Sequence, residues 1–122
     1  MLRDSGGAEL REVALDTLEK ISRAELTNED IFKQGALMAD WSRDKFSDFL
    51  THVQKLLRDI CFAEVLEPHN PDLVPRLNKI NLPERKIFLM IEAGAKVHRR
   101  LKSNASLRLL AEAYLMELRN LR

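Results

Sequence analysis

Apolar residues recur along this chain at spacings of three and four, with polar residues filling the positions between them. A helix turns once in about 3.6 residues, so this period puts the apolar side chains on one helical face. Leu10, Val13, Ala14, Thr17, Leu18 and Ile21 predict a first helix from about Ala8 to Arg23. A second helix opens at Thr27-Asn28-Glu29-Asp30, a capping-box pattern with Asp in place of the preferred Glu. Its acids suit the positive end of the helix dipole. It runs through Ile31, Phe32, Gly35, Leu37 and Met38 to about Trp41. Gly35 costs about 1 kcal/mol against Ala at an exposed mid-helix position, and its lack of a side chain permits close approach of a neighbouring helix.

Ser42 reads as the N-cap of a third helix, in which Phe46, Phe49, Val53, Leu56, Ile60 and Ala63 form a stripe widened by Leu50, Leu57 and Cys61. It is predicted to be the longest helix and the centre of the core. The stretch Glu67-Pro68-His69-Asn70-Pro71-Asp72 ends it, because two prolines and two turn residues cannot continue a helix. Residues 73–80 read as one or two short helical turns. Pro83 then reads as the first residue of a helix over about Pro83–Lys102, where its missing N–H costs nothing. Ile87, Met90, Ile91, Gly94, Val97, His98 and Leu101 are its inward positions. An Asn/Ser-rich break leads into a last helix from about Ser106 to the C-terminus, with Leu107, Leu110, Ala111, Tyr114, Leu115, Leu118 and Leu121 on one stripe. The expected fold is all-α, a compact bundle of five to six helices. Residues 1–7, with Ser5-Gly6-Gly7, read as a linker remnant, and residues 8–122 as one helical domain.

Composition agrees with this reading. The chain of 122 residues is 45% hydrophobic, with four Gly and four Pro, so it suits a single packed helical domain. The first seven residues lack the apolar core of a signal peptide. No apolar run approaches the roughly 20 residues of a membrane span. The single Cys61 provides neither an internal disulfide nor a zinc set, which suits a reducing, cytoplasmic setting.

Charge changes the picture. The net charge is +1, but residues 1–72 hold nine Lys/Arg against fifteen Asp/Glu, and residues 73–122 hold eleven against four. Either acidic and basic helices lie together and solvate their outer faces, or the chain presents a polarised partner surface or a weak nucleic-acid face. Lys96, Arg99, Arg100 and Lys102 cluster near a helix C-terminus, where the dipole favours cations. No aromatic residue is interleaved in that run for base stacking.

Candidate chemistry is sparse. There is no G-x-x-x-x-G-K-[ST], no G-x-G-x-x-G and no H-E-x-x-H. His52, His69 and His98 fall in three separate elements and read as surface or boundary residues; His98, on an apolar stripe, needs a partner for its ring. Cys61 reads as a small buried hydrophobe rather than a nucleophile. Glu64 with Glu67, and Asp44 with Asp48, read as solvated acid pairs. No catalytic residue, cofactor or metal ligand is expected, so an enzyme is the weakest reading.

Two segments carry a resemblance. Gln54-Lys55-Leu56-Leu57-Arg58-Asp59-Ile60 closes the long helix, and Arg99-Arg100-Leu101-Lys102-Ser103-Asn104-Ala105-Ser106-Leu107-Arg108-Leu109-Leu110-Ala111-Glu112 leads into Ala113-Tyr114-Leu115-Met116-Glu117-Leu118. Together they resemble the C-terminal collar domain of the delta-prime subunit of the bacterial DNA polymerase III clamp loader. Arg58 and Asp59 match the Arg-Asp that ends the family's long helix. Asn104, Leu107, Glu112 and Leu115 match its final-helix pattern. Lys55-Leu56 stands where the family often has a Ser-Trp pair, which Trp41 lies too early to replace, and Ser106 stands where the family often has Pro.

The resemblance implies a non-catalytic module that packs beside other clamp-loader subunits, of tau/gamma and delta type, in a five-membered ring. DNA and the sliding clamp would be met only through the complex, and no membrane is involved. Arg58, Asp59, Arg99, Arg100, Asn104, Arg108 and Glu112 are its candidate contact residues; Arg58 and Asp59 form either a structural pair or a reach to a neighbouring helix. The collar of the related tau/gamma subunit is a near variant. Two other readings stand beside it: a free-standing helical adaptor, marked by an exposed apolar stripe left over after packing, and a helical nucleic-acid-binding domain, marked by salt-sensitive binding.

Overall fold

A computed structural model of the chain describes residues 2–63, 67–103 and 105–121, with side chains described from Gly7 onward. Six α-helices form: α1 (Leu2–Ser22), α2 (Asn28–Ala39), α3 (Arg43–Cys61), α4 (Val74–Leu77), α5 (Glu84–Arg100) and α6 (Leu107–Asn120). A 3-10 turn, Pro71–Leu73, leads into α4. No strand occurs among the described residues. The neighbours in space run α1, α3, α5, α6, α2, and Lys20 of α1 approaches Asp30 of α2 at 3.6 Å to close the set.

The two caps that the sequence predicts, at Thr27 and Ser42, form, and Ser106 proves to be a third. Thr27 accepts the N–H of Asp30 at 3.1 Å, and the Asp30 carboxylate accepts the N–H of Thr27 at 3.1 Å. These bonds, the backbone one first, hold the Asp30 carboxyl below the usual carboxylate range. Ser42 and Ser106 cap α3 and α6 through the N–H groups of Lys45 and Leu109. Three boundaries and one relative length differ from the pattern. α1 begins at Leu2 rather than Ala8 and runs through Gly6-Gly7, since glycine weakens a helix without blocking it. It has 21 residues against 19 in α3, so α3 is not the longest helix. α3 stops at Cys61, leaving Ala63 exposed, because the chain must turn back toward Asp59. Pro83 is the N-cap of α5 rather than its first residue.

α3 is nevertheless the centre of the core. Phe46, Phe49, Leu50, Leu56 and Leu57 are fully buried, each contributing about 2 kcal/mol by removal from water. Phe49 stacks on Phe46 at 5.9 Å and meets the edge of Trp41 at 5.7 Å. On α2 the stripe is narrower than the pattern implies: Ile31, Gly35 and Met38 are buried, while Phe32 and Leu37 are exposed. α2 and α6 run antiparallel, with Arg119 donating to Asn28 at one end and Glu112 against Gly35 further along. A Cβ on Gly35 would lie 2.5 Å from Glu112 Cγ, so the missing side chain does permit the close approach.

α1 ends in a Schellman turn. The N–H of Glu25 donates to the Lys20 carbonyl and that of Ala24 to the Ile21 carbonyl. This puts Ala24 at φ 58°, in the left-handed region. An L side chain there costs about 1 kcal/mol, so Ala24→Gly is expected to stabilise the domain by about 1 kcal/mol in urea or thermal unfolding.

His52 sits half-buried on α3. Burial pushes its imidazole below the usual 6.5, Lys55 adds to the effect, and Asp48 opposes it. The unfolded chain therefore takes up the proton first. The contribution of His52 to stability is complete above pH 6.5 and falls as pH drops from 6.5 to the lowered native value. Between pH about 7 and about 5 the wild type should lose more melting temperature than His52→Gln; equal losses would remove His52 from the acid sensitivity of the fold.

Candidate subunit-contact surface

Of the seven residues singled out by the sequence, the six that are described do not form one patch. Asp59, at the end of α3, is 5% exposed and turned inward. Its carboxylate accepts the backbone N–H of His69 at 2.8 Å, that of Asn70 at 3.0 Å and the Asn70 amide at 3.2 Å. Arg11 of α1 joins from the other side, donating to Asn70 at 3.4 Å and to both carboxylate oxygens of Asp72 at 3.2 and 2.8 Å. Asp59 is thus engaged within the chain, tying the end of α3 to the following turn. Arg58 does not pair with it. The Arg58 guanidinium is exposed and lies 5.9 Å from the Phe62 ring centre. Neither alternative held open for the two residues as a unit is realised.

Glu112 sits in the seam between α2 and α6. Its side chain is 16% exposed and accepts from Arg108, one turn earlier, at 3.1 Å. Arg108 is on the outer surface of that seam. Asn104 lies outside the described residues, as does Glu64.

Arg99 and Arg100 remain as an open surface. Both are exposed in the last turn of α5. Among the described residues no ion pair involves them or Lys102, whereas Lys96 of the same run is held by Glu117 at 3.2 Å. α3 and α5 run antiparallel, so this basic turn lies beside the start of α3. His98 Nε2 lies 3.2 Å from the Ser47 carbonyl, the partner its apolar position required. Arg43 donates to the carbonyls of Leu101 at 3.0 Å and Ala105 at 2.6 Å, holding the α5–α6 turn to α3. Ser103 accepts the N–H of Ala105 and donates to the Arg100 carbonyl.

Three residues escaped the sequence reading. Arg43 binds carbonyls about sixty positions away, and no local signal marks such a role. Arg76 of α4 donates to Glu12 at 2.8 and 2.9 Å, Asp16 at 3.3 Å and Glu19 at 2.8 Å. The third, Phe88, is 47% exposed on α5. It was legible as an aromatic left off the Ile87 stripe.

Other groups are inert or structural. Cys61 is half-buried rather than buried. Burial pushes its thiol upward, with Glu84 adding to the effect, the opposite of an activated thiolate. Among the described residues no group of three His, Cys, Asp or Glu side chains is placed to hold a metal ion, and no helix is long and apolar enough to cross a membrane. An open groove of about 330 Å³ between α1 and α2 mixes both charge signs, with Asp16, Glu19, Lys20 and Lys33 on its walls.

Comparison of the chain with protein-family models, curated proteins and solved structures finds no match.

Replacing Asp59 leaves one buried and one part-buried backbone donor and a buried amide without this acceptor, each a penalty of about 1 kcal/mol or more. Asp59→Ala is therefore expected to destabilise the domain by about 3 kcal/mol in chemical unfolding. A loss below about 0.5 kcal/mol would mean the turn holds itself without the carboxylate.

Proposed function

We propose that this chain is a non-catalytic collar module of a bacterial clamp loader, of delta-prime type, which holds neighbouring subunits together during loading of the sliding clamp. Its partners on this reading are subunits of tau/gamma and delta type, and its contact with DNA is indirect. The observation that carries the reading is the pair of sequence segments around Arg58–Asp59 and Arg99–Glu112, with which an all-helical fold is compatible. The unpaired basic turn at Arg99, Arg100 and Lys102 supports it. A ring built head to tail needs two unlike faces on each member, and a basic turn on one side, with the carboxylates of α1 in excess of the single Arg76 that meets them on another, is such a pair.

A second reading keeps one supporting observation. Phe32, Leu37, Phe88 and Leu109 are exposed, and an apolar surplus of this kind also suits a free-standing adaptor that receives a partner helix. The two readings differ in what they bind.

Size-exclusion chromatography with light scattering, on the chain mixed with delta- and tau/gamma-type subunits, separates them. The collar reading expects a co-eluting complex. The double variant Arg99→Glu/Arg100→Glu should weaken that complex by about tenfold or more while circular dichroism and melting temperature stay the same. A complex of undiminished strength would remove the basic turn from the contact, and no complex at all would leave the adaptor.

A further inference from the structure

α5 buries one side against α3 and α6 and leaves the other open. Phe88, Glu92, Ala95 and Arg99 follow the spacing of a single helical stripe on that open side, over about 16 Å of rise. Phe88 is 47% exposed and lies in a shallow hollow with Glu84, Arg85, Leu89 and Glu92. The run from Lys96 to Lys102 contains no aromatic residue, yet folding places one on the same stripe as Arg99. Arg85, Arg99, Arg100 and Lys102 are exposed, and none is in an ion pair among the described residues. An exposed aromatic flanked by unpaired arginines is the composition enriched at protein interfaces.

Resting on the collar reading, we propose that this face docks an acid-rich amphipathic helix of a neighbouring clamp-loader subunit. Phe88 is the apolar anchor, and Arg85 and Arg99 are the flanking cations. Charge selects the occupant. The unpaired guanidinium groups call for carboxylates opposite them, and the hollow at Phe88 calls for one apolar side chain between those carboxylates. A nucleic-acid strand carries the same sign of charge, but it would bring phosphates onto Glu92 in the middle of the stripe. A helix can set a lysine or a neutral residue there instead.

The test uses the intact chain and three variants, Phe88→Ala, Arg85→Glu and the apolar replacement Phe88→Leu. Each is titrated against delta- and tau/gamma-type subunits and against a fluorescent single-stranded oligothymidylate. Both positions are exposed, and unchanged melting temperatures establish that the variants fold. The expected result is subunit binding weakened about tenfold by Phe88→Ala and by Arg85→Glu, largely restored in Phe88→Leu, with no binding of oligothymidylate. Subunit binding equal in all variants overturns the docking face and leaves the collar reading intact. Oligothymidylate binding that Phe88→Ala abolishes overturns it in favour of a nucleic-acid face. Failure of the wild type to bind any loader subunit overturns both the docking face and the collar reading.

Discussion

A buried carboxylate sets the course of the second half of this chain. Asp59 lies below the surface, where a polar group is tolerated only when it is hydrogen-bonded. Its donors are the amides of His69 and Asn70, ten and eleven residues further on. The bond therefore decides where the chain goes after α3. From Asn70 the 3-10 turn and α4 carry Arg76 onto α1, and α5 then runs back along α3. Arg11 enters the same group of side chains from α1 through Asn70 and Asp72. One polar knot thus joins α1, α3 and the turn.

The charge division of the sequence is partly consumed by this arrangement. Arg76 belongs to the basic part of the chain, and it meets three carboxylates of the acidic α1, two of which, Glu19 first and then Glu12, push its guanidinium further from deprotonation. Isolated exposed pairs contribute little. A single guanidinium shared by three acids fixes the position of α4 because the fork must satisfy all of them together. The neutralised charge is therefore the charge nearest the Asp59 knot. A cluster of exposed cations in no ion pair among the described residues lies at the far end of α5, around Arg99 and Arg100, with Arg85 at its near end. The description of acidic and basic helices lying together thus applies where α4 meets α1, and the partner surface belongs to the proposal alone.

The helices and their caps were legible because they depend on neighbours in sequence. Thr27 with Asp30, Ser42 and Ser106 each act within one turn of the chain. The buried stripes of α3, α5 and α6 follow the same local period. The ends of helices were less legible. α3 stops at Cys61 on account of a bond formed by residues beyond the break, and α1 passes through Gly6-Gly7 because nothing there forbids it. The candidate site was legible only in part. Arg99 and Arg100 are on the surface as their position suggested, but Asp59 and Glu112 face their own chain. A carboxylate in a motif looks the same in sequence whether it meets a partner protein or the next loop. Phe32 and Leu37 show the same limit, since an apolar residue beside a stripe is buried only if a helix lies over it.

The inner face of α5 explains why its outer face can serve as a platform. Gln54 of α3 donates to the Ile91 carbonyl at 3.0 Å. A carbonyl within a helix retains a second lone pair for such a bond, and Gly94 lacks the Cβ that would collide with the Gln54 amide. One helical turn further, His98 meets the Ser47 carbonyl, and beyond it Arg43 holds Leu101. These three contacts pin α5 to α3 at successive heights, each with a directional bond. Apolar packing alone tolerates small rotations of a helix about its axis; directional bonds at three levels do not. Tyr114, fully buried beside Gly94 with its hydroxyl unpartnered, adds bulk on the remaining side, and burial pushes its phenol strongly upward, so it carries no charge. With its rotation fixed, α5 holds Phe88, Glu92 and Arg99 in one line before any partner arrives. A surface ordered in advance loses less entropy on association, so the polar contacts hidden beneath α5 are what make its exposed stripe suited to recognition.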